Sequence, residues 1–453
     1  MDVSSSLVPL FRQRNFAALW WGQFVSLTGE RVAYLALVGM ISEHTGGFRD
    51  PRSSWLLSAL ANVMVAPVLL FAPFAGAWID RWNLRRVVVV CDVIRATLIV
   101  LIPFTYVASG GHLLPMYGWL FLLFTTGVFF LPAKSALTPE IVPRTQLLAA
   151  NTWLSAAGIA AAALGSLAGG WMVDRWGWSR ALILNGVTYG LSALALSAIR
   201  YDPARHEAHS ASPTLRGYLS EVREGWSAVR ASATIRIALV TLAAVWLAGG
   251  FLHVAGNLHI QNVARSPGMG RLGVLLGVLG IGAAVSAAWL NTRGGRRRPA
   301  VLLAATLCVA GLGLLVFALS THFAMLAVAA FLVGLGAAPA LMVTETALQV
   351  GTEPGLRGRV FATRDFLMRS ALLASVSLAG AMTRAVGARP ALLVCAAIVA
   401  AVGTAVAAWA RRLPAAAPSV APGEHLDESA LAQARPGGGG QQAQGRQDRA
   451  END

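Results

Sequence analysis

The sequence predicts an all-α membrane protein with twelve transmembrane helices in two six-helix halves, each half built from inverted three-helix repeats. Three observations predict it. The chain is poor in charge, it holds twelve apolar runs of about 20 residues, and a long polar, basic segment separates the sixth run from the seventh.

Of 453 residues, 56% are hydrophobic and 13% charged, with a mean hydropathy of +0.61. A soluble domain carries about 25% charged residues to keep its surface wet. Backbone groups in hydrocarbon must bond internally, so runs of this kind become helices or closed barrels. These runs are too long and too continuously apolar for the alternating ~10-residue strands of a barrel.

The runs fall at roughly 16–40, 54–78, 87–108, 115–134, 151–173, 180–199, 235–256, 272–292, 299–319, 322–344, 364–386 and 390–410. Twelve spans bring both termini to one side, and basic residues choose it. The segments on the side of the N-terminus hold 22 basic residues, among them Arg12, Arg14, Lys134 (the only lysine), Arg144, Arg200 and Arg357. The opposite loops hold 8, from Arg49 and Arg52 to Arg384 and Arg389. The expectation is a multi-pass protein of a bacterial inner (plasma) membrane with both termini cytoplasmic. Met1 to Pro9 lacks a basic n-region and the first run ends without a small-residue cleavage site, so a retained first span is expected. Cys91, Cys308 and Cys395 fall in different runs, which argues against disulfides and zinc.

The expected domains are an N-terminal six-helix bundle (1–200), a cytoplasmic linker (201–234), a C-terminal six-helix bundle (235–412) and a disordered cytoplasmic tail (413–453). In the linker Leu215, Leu219, Val222, Trp226 and Val229 recur at helical spacing, which predicts an amphipathic helix at the membrane surface. The tail is Pro, Ala, Gly and Gln with mixed charge and has no core to bury.

Gly76-Ala-Trp-Ile-Asp80-Arg81-Trp82 closes the second span, and Gly169-Gly-Trp-Met-Val-Asp174-Arg175-Trp176 closes the fifth at the opposite face. The two stand at equivalent places in three-span units of opposite orientation, as an inverted repeat requires. Between the halves, Asn291 to Arg298 stands where Asp80 to Arg86 stands in the first, without the Asp.

With these motifs the sequence resembles the major facilitator superfamily, whose marker between spans 2 and 3 is present as Gly76, Asp80, Arg81, Arg85 and Arg86. Within it the chain is similar to the macrolide-efflux and enterobactin-exporter type of drug–proton antiporter. That finer resemblance rests on Leu137-Thr-Pro-Glu-Ile-Val-Pro-Arg with Leu148-Ala-Ala-Asn151, on Leu182-Ile-Leu-Asn185, and on Gln349 with Arg357-Gly-Arg-Val-Phe361. It implies secondary active export of a hydrophobic or amphipathic small molecule (a drug, antibiotic or siderophore-like metabolite) by alternating access. The proton gradient would be the energy source, with no cofactor. It also implies that spans 1, 4, 7 and 10 line the cavity, and that Asp80 faces the N-terminal end of span 11 to brace the closed cytoplasmic side. A solvated loop obeying the positive-inside rule is the competing reading of Asp80 and its arginines.

Glu30 lies past the midplane of span 1, on one face with Gln23, Leu27 and Tyr34. A carboxylate in hydrocarbon should turn to a cavity or a partner, and desolvation there suits proton exchange. Permanent neutralisation by Arg31 or another arginine is the alternative. Asp92 with Arg95 in span 3, and Asp365 with Arg369 in span 11, sit at pair spacing, so a structural or gating pair is expected ahead of a substrate contact. Glu345 shares a face with Gln349 near the inner exit, as a gate contact or a polar wall, and Asp92 and Glu345 stand with Glu30 as proton-coupling candidates. The further candidates for the cavity wall are Phe124, Phe129 and Phe130 from span 4 and Trp246, His253 and Asn257 from span 7. His253 is either a titrating group or a satisfied core histidine, and the aromatics are either walls or packing. The glycines of span 5, Gly158, Gly165, Gly169 and Gly170, allow close helix approach. That span lacks the Gly-Pro pair of the superfamily's antiporters.

An importer or a lysophospholipid flippase of the same fold is the alternative within transport, and a membrane sensor the alternative outside it. The spans hold no paired catalytic carboxylates, Ser–His–Asp set or phosphate-binding loop, so neither an enzyme nor an ATP-driven pump is expected. The arginines are scattered among loops, which excludes a nucleic-acid surface. A monomer in contact with a small-molecule substrate and membrane lipid is expected.

Overall fold

The structure, a computed structural model, describes residues 8–48, 50–79, 82–200, 215–264, 268–293, 298–352 and 356–412. Asp80, Arg81, the first part of the linker and the tail 413–453 lie outside the described residues.

A short α1 (Val8–Arg12) leads into six helices: α2 (Arg14–His44), α3 (Ser53–Ile79), α4 (Leu84–Ala108), α5 (Leu114–Ile141), α6 (Leu147–Trp176) and α7 (Trp178–Ser197). The linker forms α8 (Leu215–Ala231). The second half comprises α9 (Ala233–Phe251), continued through a π-helical turn (Leu252–Gly256) into α10 (Asn257–Ala264), and then α11 (Met269–Arg293), α12 (Pro299–Leu319), α13 (Phe323–Gly351), α14 (Arg357–Val386) and α15 (Ala388–Arg412). The predicted spans are thus α2 to α7, the α9–α10 rod, and α11 to α15. Among the described residues, eleven helices are long and apolar enough to cross a membrane. The sixth predicted span is α7, 20 residues long. Its buried Asn185, Ser192 and Tyr189 lower its hydropathy because that face packs inward on α2 and α4 rather than toward lipid.

Lipid is the natural solvent of the outer faces. Val107 and Leu114 are 77% and 81% exposed, and Trp21, Phe104 and Leu194 are also turned outward, a distribution no aqueous surface tolerates. Starts and joints are encoded locally. Asn83 caps α4 by accepting the Arg86 N–H at 3.0 Å, and Ser232 opens α9. Gly177 (φ 82°) joins α6 to α7, and Gly387 (φ 90°) joins α14 to α15 at the corresponding place in the second half. Both are in left-handed backbone that a side chain would strain, so the same one-residue joint recurs in the two halves.

The halves meet at the end that carries the α2–α3 turn, here the distal end; the proximal end carries the start of α2 and the end of α15. Ser58 donates to the Val376 carbonyl at 2.8 Å and Asn62 donates to Ser377 at 3.1 Å, which ties α3 to α14. Helices α6 and α11 cross with their backbones in contact. A β-carbon on Gly170 would lie 2.6 Å from the Met269 carbonyl oxygen, and one on Gly273 would strike that of Ser166. Gly165 has the same role against Thr28 of α2, whereas Gly158 has open room.

The linker helix packs against α14. Gly225 sits against Arg359 and Thr363, Thr363 donates to the Val222 carbonyl at 3.0 Å, and Glu224 pairs with Arg359 at 2.7 Å. Val229 is buried with Ile235, Leu239 and Val360, while Trp226 is exposed. Helix α8 is therefore docked on α14 through Val222, Glu224 and Gly225, with Val229 buried beside them.

Candidate functional site

Arg95 organises the first half. It projects from the middle of α4 and is 6% exposed, so its charge needs partners inside the bundle. Its Nη1 lies 3.4 Å from Asp92 Oδ1, one turn back, and 3.8 Å from Glu30 Oε1 on α2. The guanidinium stacks over the Phe130 ring at 4.5 Å and lies 5.6 Å from the Tyr189 ring. Gly127 makes the room, since a β-carbon there would come within 2.9 Å of Arg95 Nη2. Tyr189 donates to Glu30 Oε1 at 3.3 Å. Asp92 is fully buried and its Oδ2 accepts no hydrogen bond, whereas the Glu30 side chain is 40% exposed. One arginine is thus shared between a sealed carboxylate and an accessible one.

The accessible carboxylate faces a cavity of about 220 Å³. Its polar wall is Glu30, Arg31, Arg95, Asn185 and Tyr189, and its apolar wall includes Leu37, Met64 and Phe124. A second cavity of about 220 Å³ lies in the other half, walled by leucines of α11, Phe317 and Val333, with His253 and Asn257 at its polar edge. Tyr34 belongs to both walls. Its hydroxyl is 2.9 Å from His253 Nδ1, and His253 Nε2 lies 3.2 Å from the Leu57 carbonyl oxygen. The π-helical turn presents His253 here, and Asn257 Nδ2 closes it by donating to the His253 carbonyl at 2.5 Å.

Two charged assemblies mark the ends. At the distal end the Asp174 carboxylate accepts the N–H of Met269 at 2.5 Å and of Gly270 at 2.7 Å. It caps α11 across the halves, where a helix N-terminus carries about half a positive charge. At the proximal end Arg364 bonds Glu345 on α13 and pairs with Asp365 at 2.7 Å.

The sequence candidates divide accordingly. Glu30, Asp92 and Arg95 form one cluster around a cavity wall, where separate roles were expected. Tyr34, Phe124, His253 and Asn257 line cavities; Gln23, Phe129, Phe130 and Trp246 do not line these two. Phe130 packs under Arg95, and Phe129 lies 6.4 Å from the Trp82 ring. Asp365 pairs with its neighbour Arg364, which also bonds Glu345 on α13. Of the gating loop, Gly76 lies in α3, and Arg85 donates to the Ser197 carbonyl at 2.6 Å, holding the end of α7. Arg86 is exposed, and Asp80 and Arg81 lie outside the described residues. Lys134, counted with the loop cations, stands within α5 and is half-buried.

Tyr189, the cavity position of Asn185 and the capping role of Asp174 are not among the sequence expectations, and Arg31, expected as a neutraliser of Glu30, stands in the cavity wall while Arg95 pairs with Glu30. The Asp174 signal was present as the inverted repeat of the Asp80 motif. Asn185 and Tyr189 carried the four-residue spacing of one helix face.

A model of the Major Facilitator Superfamily matches residues 19–367. The chain is 25% identical over 355 residues to the protein named "Putative bacilysin exporter BacE" of Bacillus subtilis, covering 78% of this chain and 84% of that one. It is 28% identical over 200 residues to the lysophospholipid transporter LplT of Serratia proteamaculans, covering 44% and 46% of the two chains. Among solved structures, a POT family transporter in complex with 5-aminolevulinic acid superposes with a TM-score of 0.69 at 11% identity, over 88% of this chain and 96% of that one.

Proposed function

The chain belongs to the major facilitator superfamily of transporters, and we propose that it is a proton-coupled exporter of an amphipathic small molecule. The observation that carries this reading is Glu30, held by Tyr189 and Arg95 yet open to the cavity. A carboxylate in that position gains or loses a proton without unfolding the bundle. The ionised carboxylate is the seat for a positive group of the substrate, and protonation removes the charge that holds that group. Proton and substrate thereby exclude one another, which is the requirement for exchange.

The basic residues place the proximal end in the cytoplasm. The structure then corresponds to a state sealed on the outer side by Asp174, Ser58, Asn62 and the Gly170–Gly273 crossing. Export proceeds when this seal opens and a proximal one forms, with the Asp80 loop at the N-terminal end of α14 as the expected brace. The exporter relative supports the direction. A single specific observation favours a second reading, lysophospholipid transfer, namely the apolar cavity beside Tyr34 together with the partial match to LplT.

The test is efflux from proteoliposomes containing wild type or Glu30→Gln, with an imposed pH gradient and with an uncoupler. Uncoupler-sensitive efflux lost in Glu30→Gln is the expected result. Gradient-driven efflux that persists in Glu30→Gln removes Glu30 from the coupling mechanism.

A further inference from the structure

The two cavities differ in chemistry and share one wall. The cavity of the first half presents Glu30, Arg31 and Arg95. Arg95 is committed to Asp92 and Glu30, but among the described residues Arg31 has no ion-pair partner and its side chain is exposed. A ligand there meets an uncommitted cation next to an accessible carboxylate. The cavity of the second half is walled by Leu252, Leu272, Leu275, Leu276, Leu279 and Phe317, with no charged group. Between them stand Tyr34 and His253, and beside these the buried Asn257, whose Oδ1 accepts no hydrogen bond.

We propose that the two cavities are one bipartite site for a single-chain zwitterionic amphiphile, its head among Glu30, Arg31 and Arg95 and its tail in the leucine-lined cavity of the second half. This rests on the exporter reading above and names the substrate class for it. Burial decides the division of labour. An apolar tail gains about 0.8 kcal/mol per methylene on leaving water, about fourfold in affinity, but only where no charge is desolvated with it. A zwitterionic head is held where both signs are offered, whereas a purely cationic one leaves Arg31 without an anion. The Tyr34–His253 bond crosses the path between head and tail, so occupation by one molecule replaces it, with Asn257 Oδ1 as the free acceptor at the crossing.

The experiment is equilibrium binding of alkylphosphocholines of increasing chain length, below their micellar concentrations, to the full chain in lipid nanodiscs. Alkyltrimethylammonium compounds of matched length serve as the cationic comparison. In wild type, affinity rises by up to about fifteenfold per two methylenes to a plateau, and the cationic series binds at least tenfold more weakly. Leu276→Trp fills the tail cavity and flattens the length dependence. Leu272→Phe gives a partial version should the tryptophan variant not fold. Arg31→Gln lowers affinity by the same factor at every length.

A length dependence shared by wild type and Leu276→Trp reports partition into the lipid and overturns the proposal, as does preference for the cationic series. Lysophosphatidylcholine supplied in the bilayer, set against octylphosphocholine supplied from water, distinguishes a membrane-borne head group from a soluble metabolite. Because binding needs no gradient, length-dependent binding without proton-driven efflux leaves this site standing and removes the exporter reading. Proton-driven efflux of a dye with no length-dependent binding does the reverse.

Discussion

Tyr34 Oη and His253 Nδ1 lie 2.9 Å apart, and this hydrogen bond joins the two halves where their cavities meet. The partners are 219 residues apart in the chain, and each belongs to the span that begins its own half.

Removing the Tyr34 hydroxyl loosens the distal closure. A hydrogen bond of this kind contributes about 1 kcal/mol, roughly a fivefold change in a two-state population. Tyr34→Phe is expected to raise the distal-open fraction by that factor, read as spin-label distances between residues 47 and 321. An unchanged distance distribution means that the bond does not report the closed state.

Asp174 is expected to act as a weak latch. A carboxylate at a helix N-terminus contributes about 0.3–1 kcal/mol at an exposed site, small enough to release in every cycle. Asp174→Asn is expected to raise the distal-open fraction by roughly two- to fivefold, with a larger effect at low salt than at high salt. The same spin-label measurement checks it, and an effect that ignores ionic strength argues against a charge–dipole origin.

The α6–α11 crossing leaves no space for a methyl group. Gly273→Ala places a β-carbon against the Ser166 carbonyl and is expected to hold the distal ends apart. Transport should fall while the melting temperature of each variant half changes little, because the clash lies between halves and not within one. Normal closure in this variant would show that the helices slide past the obstruction.

Arg95 and Asp92 should be strongly coupled. Arg95→Met leaves Asp92 buried without its counter-charge, at a cost of about 3–5 kcal/mol. Asp92→Asn in the same chain is expected to restore more than half of the lost stability in detergent thermal melts. Additive losses in the double variant would mean that the two residues act independently.

Much of the fold is legible along the chain. Hydrophobic length is a one-dimensional property, so the predicted spans coincide with helices to within a turn or so at most ends, and α7 is found despite its polar face. Longer excursions have local causes. Helix α5 runs on past Lys134 to Ile141, because Pro139 does not break a helix whose neighbours hold it, and this moves the chain's lysine from a loop into the bundle. Of the two Asp-Arg-Trp motifs, the second supplies Asp174, which caps α11, while Asp80 of the first lies outside the described residues.

The sequence by itself determined the class, the span count, the division into halves and the presence of costly charges within the membrane. These follow from composition and period, which every short stretch of chain carries. Only the tertiary structure decided which charges meet. Arg364 serves both Asp365 and Glu345, Arg95 is shared between Glu30 and Asp92, and Tyr34 reaches His253. The physical reason is that a helix can rotate about its axis without changing its hydropathy. The rotation is set by close packing at positions such as Gly29 against Asn185 and Thr188, or Gly127 against Arg95, between elements that the sequence keeps far apart.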